Sequence, residues 1–521
     1  MSRKVTDNTG VADAAEGTPA RHAKTIIIGS GLAGLGLAIR LSQQGRTDYL
    51  VLERGSDVGG TWRDNTYPGA ACDVPSHLYS YSFALNPDWS RSFSRQGEIQ
   101  QYIQKVSKQH RVLDKHIFDC DVTSVRWNAE ASQWEIKSTQ GEFTADTVVS
   151  AVGALCEPAL PDIKGIDTFE GETFHSARWN HDADLTGKRV AVIGTGASSI
   201  QIVPAIAEQV GHLDVYQRTA PWLLPRFDRP YTKLEHLAFK HIPGFQRLSR
   251  AAIYAARETQ VVGLAKFPPL MRGFELIAKA KLRSEVPDPE LRKKVTPNFR
   301  IGCKRMLISN NYYPAVSRDN VDVVTEGIAE IRANSIVTED GTEREIDALI
   351  VATGFHVTDS PTYNAIVGRD GRTLAEVFDD IGQQAYKGAS IANFPNLFFL
   401  LGPNVGLGHT SMVYMIESQI NYVADALRTI EKKNLRTVEV RRGVQDAFNT
   451  DLQRKLRNSV WLNGGCASWY LDKHGNNTTL WPDFTFQFRR LTKEFDVAAY
   501  NTTTIDPDHG NRADLKAVTT R

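Results

Sequence analysis

KTIIIGSGLAGLGLAIRLSQQG, residues 24–45, contains three structural signals in succession. The apolar, β-branched run KTIII predicts a buried strand, GSGLAG predicts a tight turn, and the apolar periodicity that follows predicts a helix ending at Gly45. YLVLER, residues 49–54, predicts a second buried strand parallel to the first. The order strand, turn, helix, strand indicates a βαβ unit and an α/β fold.

Gly29, Gly31 and Gly34 occupy the glycine positions of a GxGxxG turn. The first allows the tight turn, the second lets a pyrophosphate approach the backbone, and the third lets the helix pack closely on the sheet. Phosphates bind at such a helix N-terminus because its N–H groups are free. Glu53, at the end of the next strand, can accept hydrogen bonds from a ribose diol. A dinucleotide site is therefore predicted, with a purely structural glycine turn as the alternative.

The same phrase returns about 160 residues later as KRVAVIGTGASS, residues 188–199, followed by a predicted helix and the strand LDVYQR. Here the turn carries Gly194, Gly196 and Ser199. Where the first copy ends in Glu53, this one has Arg218, and a guanidinium binds a 2′-phosphate that a carboxylate would repel. The second nucleotide is therefore predicted to be NADP(H); an exposed arginine at a strand end is the alternative.

Composition and cysteine spacing argue against several kinds of partner and site. Lys plus Arg is 61 and Asp plus Glu is 60, a net charge of +1 that does not favour nucleic acid as a partner. The absence of CxxC, HExxH and HxxxH spacings argues against a disulfide scaffold, a dithiol redox centre and a metal site. No apolar run is long enough for a signal peptide or a membrane span, so a reducing, cytoplasmic location is expected. The five cysteines are Cys72, Cys120, Cys156, Cys303 and Cys466.

Two dinucleotides without a dithiol suggest a bound flavin that is reduced by NADPH and reacts with dioxygen. GGTWRDNTYPGAACD, residues 59–73, and FEGETFHSARWN, residues 169–180, then resemble the two signatures of the type I Baeyer-Villiger monooxygenases. The first signature matches throughout, whereas the second has Asn180 where Pro or Asp is usual. GCKR, residues 302–305, is similar to a third family segment.

The resemblance implies an FAD-containing, NADPH-dependent monooxygenase that inserts one oxygen atom beside a ketone carbonyl through a peroxyflavin, giving an ester or lactone. Arg305 would stabilise the peroxyflavin anion, Asp73 would hold that arginine, and Lys304 would assist NADP binding. Two alternatives remain open: oxidation of sulfur or nitrogen nucleophiles through a hydroperoxyflavin, and a flavin-bound protein without turnover. The expected partners are a small-molecule ketone and dioxygen.

The remaining candidate residues fall into three groups. Besides Gly29, Gly31, Gly34 and Glu53, the candidate FAD contacts are Thr61, Trp62, Asp73, Tyr79, Val122 and Met412. Besides Gly194, Gly196, Ser199 and Arg218, the candidate NADP contacts are Thr195, Ala197, Ser198, Thr219, Lys304, Arg305 and Trp469. The signature residues, expected at an interdomain hinge, are Phe169, Gly171, His175 and Trp179, with a general base as the alternative role of His175.

The predicted architecture is two Rossmann-like dinucleotide-binding domains with a helical insert. EFTADTVVSAVG and TEREIDALIVATG each predict a strand and a glycine turn, so the chain is expected to return to sheets already begun. The insert carries 15 Lys or Arg and 6 Asp or Glu, which suggests a solvated face or, as the alternative, a face on a membrane surface. The expected boundaries are a disordered tail at 1–22, the FAD-binding domain at 23–155 and 346–500 (its second part and the C-terminal region), the NADP-binding domain at 156–345 with the insert at about 229–300, and a mobile tail at 501–521.

Overall fold

The computed structural model describes residues 20–505. Its strands are β1 (Arg21–Ile28), β2 (Tyr49–Leu52), β3 (His116–Ile117), β4 (Val122–Asn128), β5 (Gln133–Ser138), β6 (Gly141–Ser150), β7 (Glu172–His175), β8 (Arg189–Ile193), β9 (His212–Tyr216), β10 (Leu223–Leu224), β11 (Leu307–Ile308), β12 (Val321–Val324), β13 (Ile328–Ile331), β14 (Ser335–Thr338), β15 (Glu343–Glu345), β16 (Ala348–Val351), β17 (Ile366–Val367), β18 (Leu397–Phe399), β19 (Leu435–Val440) and β20 (Tyr500–Thr504). Its α-helices are α1 (Leu32–Gln43), α2 (Thr61–Asp64), α3 (Gln96–Gln109), α4 (Ser199–Ile206), α5 (Lys233–His241), α6 (Phe245–Glu258), α7 (Met271–Glu285), α8 (Pro289–Lys294), α9 (Tyr312–Val316), α10 (Leu374–Ile381), α11 (Met412–Lys432), α12 (Arg442–Leu456), α13 (Val460–Asn463) and α14 (Thr485–Leu491).

The first sheet is built around the opening βαβ unit. Its order is β17-β4-β5-β6-β1-β2-β3, and β18 pairs with the end of β6. Strands β1, β2, β3 and β18 join it in parallel, whereas β4, β5 and β6 form an antiparallel meander. Helix α1 covers one face together with α11, and a Cβ at Gly36 would lie 2.7 Å from Ile420 Cδ1, so the two helices pack closely.

The second sheet is built around the second copy of the motif. Its order is β12-β9-β8-β16-β7, and all five strands are parallel. Strand β6 therefore returns to the first sheet and β16 to the second, which confirms the two predicted returns. The strands of a small antiparallel sheet, β13-β14-β15, precede β16 in the chain.

The predicted helical insert is confirmed as helices α5 to α8, with a short π-helical turn at Val262–Lys266 and a 3-10 turn at Pro268–Leu270. Helix α5 begins with a capping box, in which Thr232 and Glu235 each accept a hydrogen bond from the other's backbone N–H. Val261, Leu264 and Met271 pack against Trp461 from the C-terminal region in a separate apolar cluster. The insert is thus anchored to the C-terminal region of the fold.

Three predicted domain boundaries need correction, and one disulfide was not expected from the cysteine spacing. Strand β16 lies in the second sheet, so the boundary at 345/346 was placed one strand too early. Strand β1 begins at Arg21, inside the predicted tail 1–22, because its first residues pair with β6; residues 1–19 lie outside the described range. Strand β20 pairs with β19 inside the predicted tail 501–521, of which residues 506–521 lie outside that range. Cys303 and Cys466 form a disulfide, a pairing that their separation of 163 residues does not reveal in the sequence.

Candidate active site

The first glycine turn has the geometry that a bound pyrophosphate requires. Gly29 has a φ of +98°, and a Cβ at Gly34 would lie 1.9 Å from the carbonyl oxygen of Gly29. Only glycine therefore fits at these two positions. A Cβ at Gly31 would meet no protein atom nearer than Gly60 Cα at 3.8 Å, so the space in front of this residue is open. The residues present fit a dinucleotide at the start of α1.

Glu53 is 4% exposed and lies beside this turn. Its carboxylate accepts hydrogen bonds from the N–H of Ser30 at 2.7 Å and of Gly55 at 2.8 Å, and it pairs with Arg63 at 2.7 Å. These bonds fix the carboxylate at the end of β2, where a ribose diol is expected. Sequence reasoning missed Arg63, although it lies inside the first signature.

The second glycine turn repeats this geometry with one substitution. Gly194 has a φ of +110°, and a Cβ there would lie 2.5 Å from the carbonyl oxygen of Ala352. A Cβ at Gly196 would meet nothing within 4 Å. Ser199 is fully buried at the start of α4, so serine is small enough for the third position. Thr195 donates a hydrogen bond to the carbonyl of Thr219 at 2.8 Å and thereby fixes the turn beside β9.

One continuous cavity of about 1370 Å³ joins the two turns. Nearly all predicted cofactor residues line it; the exceptions are Gly34 and Ser199, which lie behind their turns where the helices pack on the sheets. The residues lining the cavity are Gly29, Gly31, Glu53, Thr61, Trp62, Asp73, Tyr79, Val122 and Met412 from the FAD set, and Gly194, Thr195, Gly196, Ala197, Ser198, Arg218, Thr219, Lys304, Arg305 and Trp469 from the NADP set.

Arg305 and Asp73 form a bidentate ion pair in the cavity wall. Arg305 Nε donates to Asp73 Oδ2 at 2.6 Å and Nη2 donates to Oδ1 at 2.7 Å. Burial alone would raise the pKa of Asp73, but the charge and hydrogen bonds of Arg305 outweigh it, so the pKa of Asp73 is lowered. The carboxylate in turn raises the pKa of Arg305. Within residues 20–505, Nη1 of Arg305 makes no hydrogen bond, which leaves one edge of the guanidinium free for a ligand.

Arg257, which sequence reasoning also missed, is a second cation near this pair. Burial lowers the pKa of Arg257, and its charge helps to lower the pKa of Asp73. It reaches the pair from helix α6 of the insert. Asp73 and Arg257 are 184 positions apart in the sequence, so only the fold brings them together.

Lys304 and Arg218 form a separate cationic pair at the end of β9. Burial, and then the charge of Arg218, lower the pKa of Lys304. Neither side chain forms an ion pair within residues 20–505, and Arg218 is exposed to the cavity. Two neighbouring cations without an acidic partner fit the 2′-phosphate of NADP.

The first signature forms the loop between the two units. Trp62 donates a hydrogen bond to the hydroxyl of Tyr79 at 3.0 Å, and the two rings pack edge to face. Tyr67 donates to Gln201 Oε1 at 3.1 Å, so the loop also contacts helix α4. No sequence pattern singles out Gln201, because glutamine on a helix face is usually a solvated residue.

The second signature forms strand β7, at the edge of the second sheet, and the turn after it. His175 is 5% exposed, and its Nδ1 accepts a hydrogen bond from the N–H of Ala177 at 3.1 Å. Burial lowers the pKa of His175. Phe169, Gly171, His175 and Trp179 do not line the cavity, which gives no support to the general-base alternative for His175. The expected hinge role of these residues remains a prediction.

Comparison with known proteins identifies the family. Residues 26–256 match the family model of pyridine nucleotide-disulphide oxidoreductases. A Baeyer-Villiger monooxygenase of Pseudomonas aeruginosa is 50% identical over 501 residues, which cover 95% of each chain. The chain belongs to the Baeyer-Villiger monooxygenases. A second member, from Streptomyces coelicolor, is 49% identical over 480 residues, or 92% of each chain.

Solved structures of this class share the whole architecture. Cyclohexanone monooxygenase from Rhodococcus sp. Phi1 bound to NADP+ has a TM-score of 0.82 and 27% identity, covering 94% of this chain and 100% of that one. Oxidized steroid monooxygenase bound to NADP has a TM-score of 0.81 and 29% identity, covering 93% and 100%. The predicted α/β fold with two dinucleotide-binding units is confirmed.

As a Baeyer-Villiger monooxygenase, the protein is an FAD-containing, NADPH-dependent enzyme that inserts one oxygen atom of dioxygen beside a ketone carbonyl in a small molecule. The predictions of reaction and cofactors are confirmed. The oxidoreductase model matches the region of the two glycine turns, and the chain has no CxxC for dithiol chemistry.

Two further observations bear on metals and membranes. His212 and Asp214 of β9 lie close to Asp322 of β12, but Arg344 pairs with both carboxylates at 3.1 Å, so we assign no metal there. Between residues 20 and 505, no helix is long and apolar enough to cross a bilayer.

Proposed function

We propose that the first βαβ unit of this Baeyer-Villiger monooxygenase binds FAD and the second binds NADPH. Glu53 supports the first assignment, since a buried carboxylate suits a ribose diol and would repel a 2′-phosphate. Arg218 and Lys304 support the second, since they offer two cations without an acidic partner in the described chain. The glycine turns support both, because a side chain at Gly31 or Gly196 would meet the cofactor rather than the protein.

The ion pair of Arg305 with Asp73 carries the proposal for catalysis. Bound FAD, once reduced by NADPH, supplies the activated oxygen for insertion. Arg305 provides a fixed positive charge in the cavity wall, with Nη1 free to donate to the carbonyl oxygen of the ketone as negative charge develops there. Asp73 is the positioning residue, because its two hydrogen bonds fix the plane of the guanidinium.

We further propose that the substrate is a ketone with an apolar carbon skeleton. The cavity that Arg305 lines is also lined by large apolar side chains, among them Trp222, Leu401 and Leu480. Such apolar side chains pack against a carbon skeleton by shape, while Arg305 Nη1 offers a donor for the carbonyl oxygen. The related solved enzymes act on cyclohexanone and on steroids, as their names state.

The test compares the FAD-loaded enzyme with Arg305→Ala and Arg305→Lys in ¹⁸O₂, with NADPH and a panel of ketones and sulfides. We expect the native enzyme to convert a ketone into an ester carrying one ¹⁸O atom. Arg305→Ala should lower that rate on the order of 100- to 1000-fold, as loss of an oxyanion donor does, while NADPH still reduces the flavin. The exposed Arg457→Ala is the matched control.

Two results would contradict these roles. Ester formation by Arg305→Ala at the native rate would remove Arg305 from catalysis. Conversion of sulfides alone, at equal rates in native enzyme and variant, would favour oxidation of soft nucleophiles instead. The rate of ester formation by Arg305→Lys should lie between those of the native enzyme and Arg305→Ala, because an ammonium keeps the charge and loses the bidentate geometry.

A further inference from the structure

Helix α6 turns several polar side chains toward the protein, beside Ile253 and Tyr254, which pack on the core. Gln246 is 8% exposed and donates to the carbonyl of Asn86 at 2.6 Å. Arg250, four residues on, donates to the carbonyl of His77 at 2.7 Å. Glu258 is 5% exposed and accepts a hydrogen bond from the hydroxyl of Thr485 at 2.9 Å. Hydrogen bonds to the rest of the fold therefore fix which way the helix is turned.

The opposite side of α6 presents apolar residues to solvent. Phe245 is 37% exposed and Leu248 is 68% exposed, and the helix continues with exposed alanines at 251, 252, 255 and 256. In a surface helix of a globular protein the apolar side normally packs on the core. Here only Phe245 has an aromatic partner, the ring of Phe239 in α5 at 5.4 Å between centroids, and the rest of this side is left to solvent. Such an exposed apolar surface marks an interaction site.

The exposed apolar surface extends into helix α5 and the turn between the two helices. Leu234 is 77% exposed, Leu237 is 53% exposed and Ile242 is 54% exposed. Spacing of three residues places Leu234 and Leu237 on one side of α5. The term "hairpin face" here means the five residues Leu234, Leu237, Ile242, Phe245 and Leu248.

The helices that carry the hairpin face also carry unpaired cations. Lys233 and Arg247 are exposed, and neither makes an ion pair with any residue between 20 and 505. The only acidic residue between 233 and 257 is Glu235, which pairs with Arg229 and caps α5. Apolar side chains bordered by unpaired cations are complementary to an anionic lipid surface.

We propose that the hairpin face docks the enzyme on an anionic lipid bilayer. Leucine and phenylalanine side chains enter the boundary between headgroups and acyl chains, while Lys233 and Arg247 contact lipid phosphates. A second copy of the chain fits this surface less well, because a contact between two hairpin faces would place like charges next to each other. The docking is independent of the residue roles proposed for catalysis.

The experiment measures co-sedimentation of the FAD-loaded enzyme with vesicles of phosphatidylcholine alone or with added phosphatidylglycerol. We expect binding to the anionic vesicles, weakening with salt as surface charges are screened. The double variant Leu237→Glu/Leu248→Glu should bind at least about tenfold more weakly, since each apolar side chain is replaced by an anion. Lys233→Glu/Arg247→Glu should lose the preference for anionic lipid.

Ile505→Glu is the matched control, because Ile505 is 52% exposed and lies outside the insert. FAD content and thermal unfolding establish that each variant is folded. Equal binding of Leu237→Glu/Leu248→Glu and the control would overturn the proposal. It would equally be overturned if the native enzyme ignored anionic vesicles and sedimented as a dimer that this double variant converts to monomers.

Discussion

Gln201 and Ala71 are joined by two hydrogen bonds. The N–H of Ala71 donates to Gln201 Oε1 at 3.2 Å, and Gln201 Nε2 donates to the carbonyl of Ala71 at 3.0 Å. Gln201 lies on the first helix of the second unit, and Ala71 precedes Asp73 by two residues in the first signature loop. Helix α4 of the second unit therefore fixes the loop that carries Asp73, the partner of Arg305.

Gln201→Ala should loosen this loop and uncouple NADPH consumption from product formation. The variant leaves the N–H and carbonyl of Ala71 without these partners, a loss of about 1–3 kcal/mol in stability. The ratio of ester formed to NADPH consumed should fall while flavin reduction persists. Gln43→Ala, on the exposed side of α1, is the control and should leave the ratio unchanged. An unchanged ratio in Gln201→Ala would show that the loop holds Asp73 in place without the two hydrogen bonds from Gln201 to Ala71.

Asp73→Asn should lower ketone turnover about ten- to hundredfold, because the amide keeps one acceptor oxygen and places an NH2 donor against the guanidinium of Arg305. One charge-assisted hydrogen bond is then lost and the other is weakened. The pKa of Asp73 is lowered from 3.8, so the ion pair is fully present above that value and is lost only as pH falls through the folded-state pKa. Turnover of the native enzyme, measured against pH, should show no acidic limb from Asp73. A limb with a midpoint above about pH 5 that disappears in Asp73→Asn would contradict this assignment.

Arg218→Ala should lower the preference for NADPH over NADH. A charge-assisted bond to the 2′-phosphate contributes about 1.5–3 kcal/mol, so kcat/KM for NADPH should fall roughly 10- to 150-fold, with little change for NADH. Adding Lys304→Ala should lower it further. Arg490→Ala, an exposed arginine on α14, serves as the control. Equal losses with both nucleotides would place Arg218 away from the 2′-phosphate.

Gly31→Ala and Gly34→Ala should fail for different reasons. At Gly34 a Cβ would lie 1.9 Å from a backbone oxygen, so the variant should unfold at a lower temperature or not accumulate. At Gly31 the protein leaves room, so the variant should fold and lose FAD. Thermal unfolding and absorbance of the purified protein distinguish the two. Full FAD content in Gly31→Ala would place the pyrophosphate elsewhere.

Local sequence was sufficient to predict both glycine turns and the strands beside them, since those patterns extend over a few residues. Contacts between distant residues were beyond it: Gln201 with Ala71, Arg257 near Asp73, and Cys303 with Cys466. Helix α6 shows a further limit of prediction from sequence. Hydrophobic periodicity predicts which side of a helix is apolar, and it assumes that this side is buried, whereas the hydrogen bonds of Gln246 and Glu258 turn it outward.

The position of strand β16 also sets the order in which the second unit can fold during synthesis. This strand lies between β8 and β7 in the sheet, yet it follows the whole insert and strands β13 to β15 in the chain. At typical translation rates, roughly 10–30 s pass between the synthesis of β8 and that of β16, the strand that pairs with both β7 and β8. During that interval the nascent chain exposes two unpaired strand edges, and the sheet can close only when Val351 has left the ribosome.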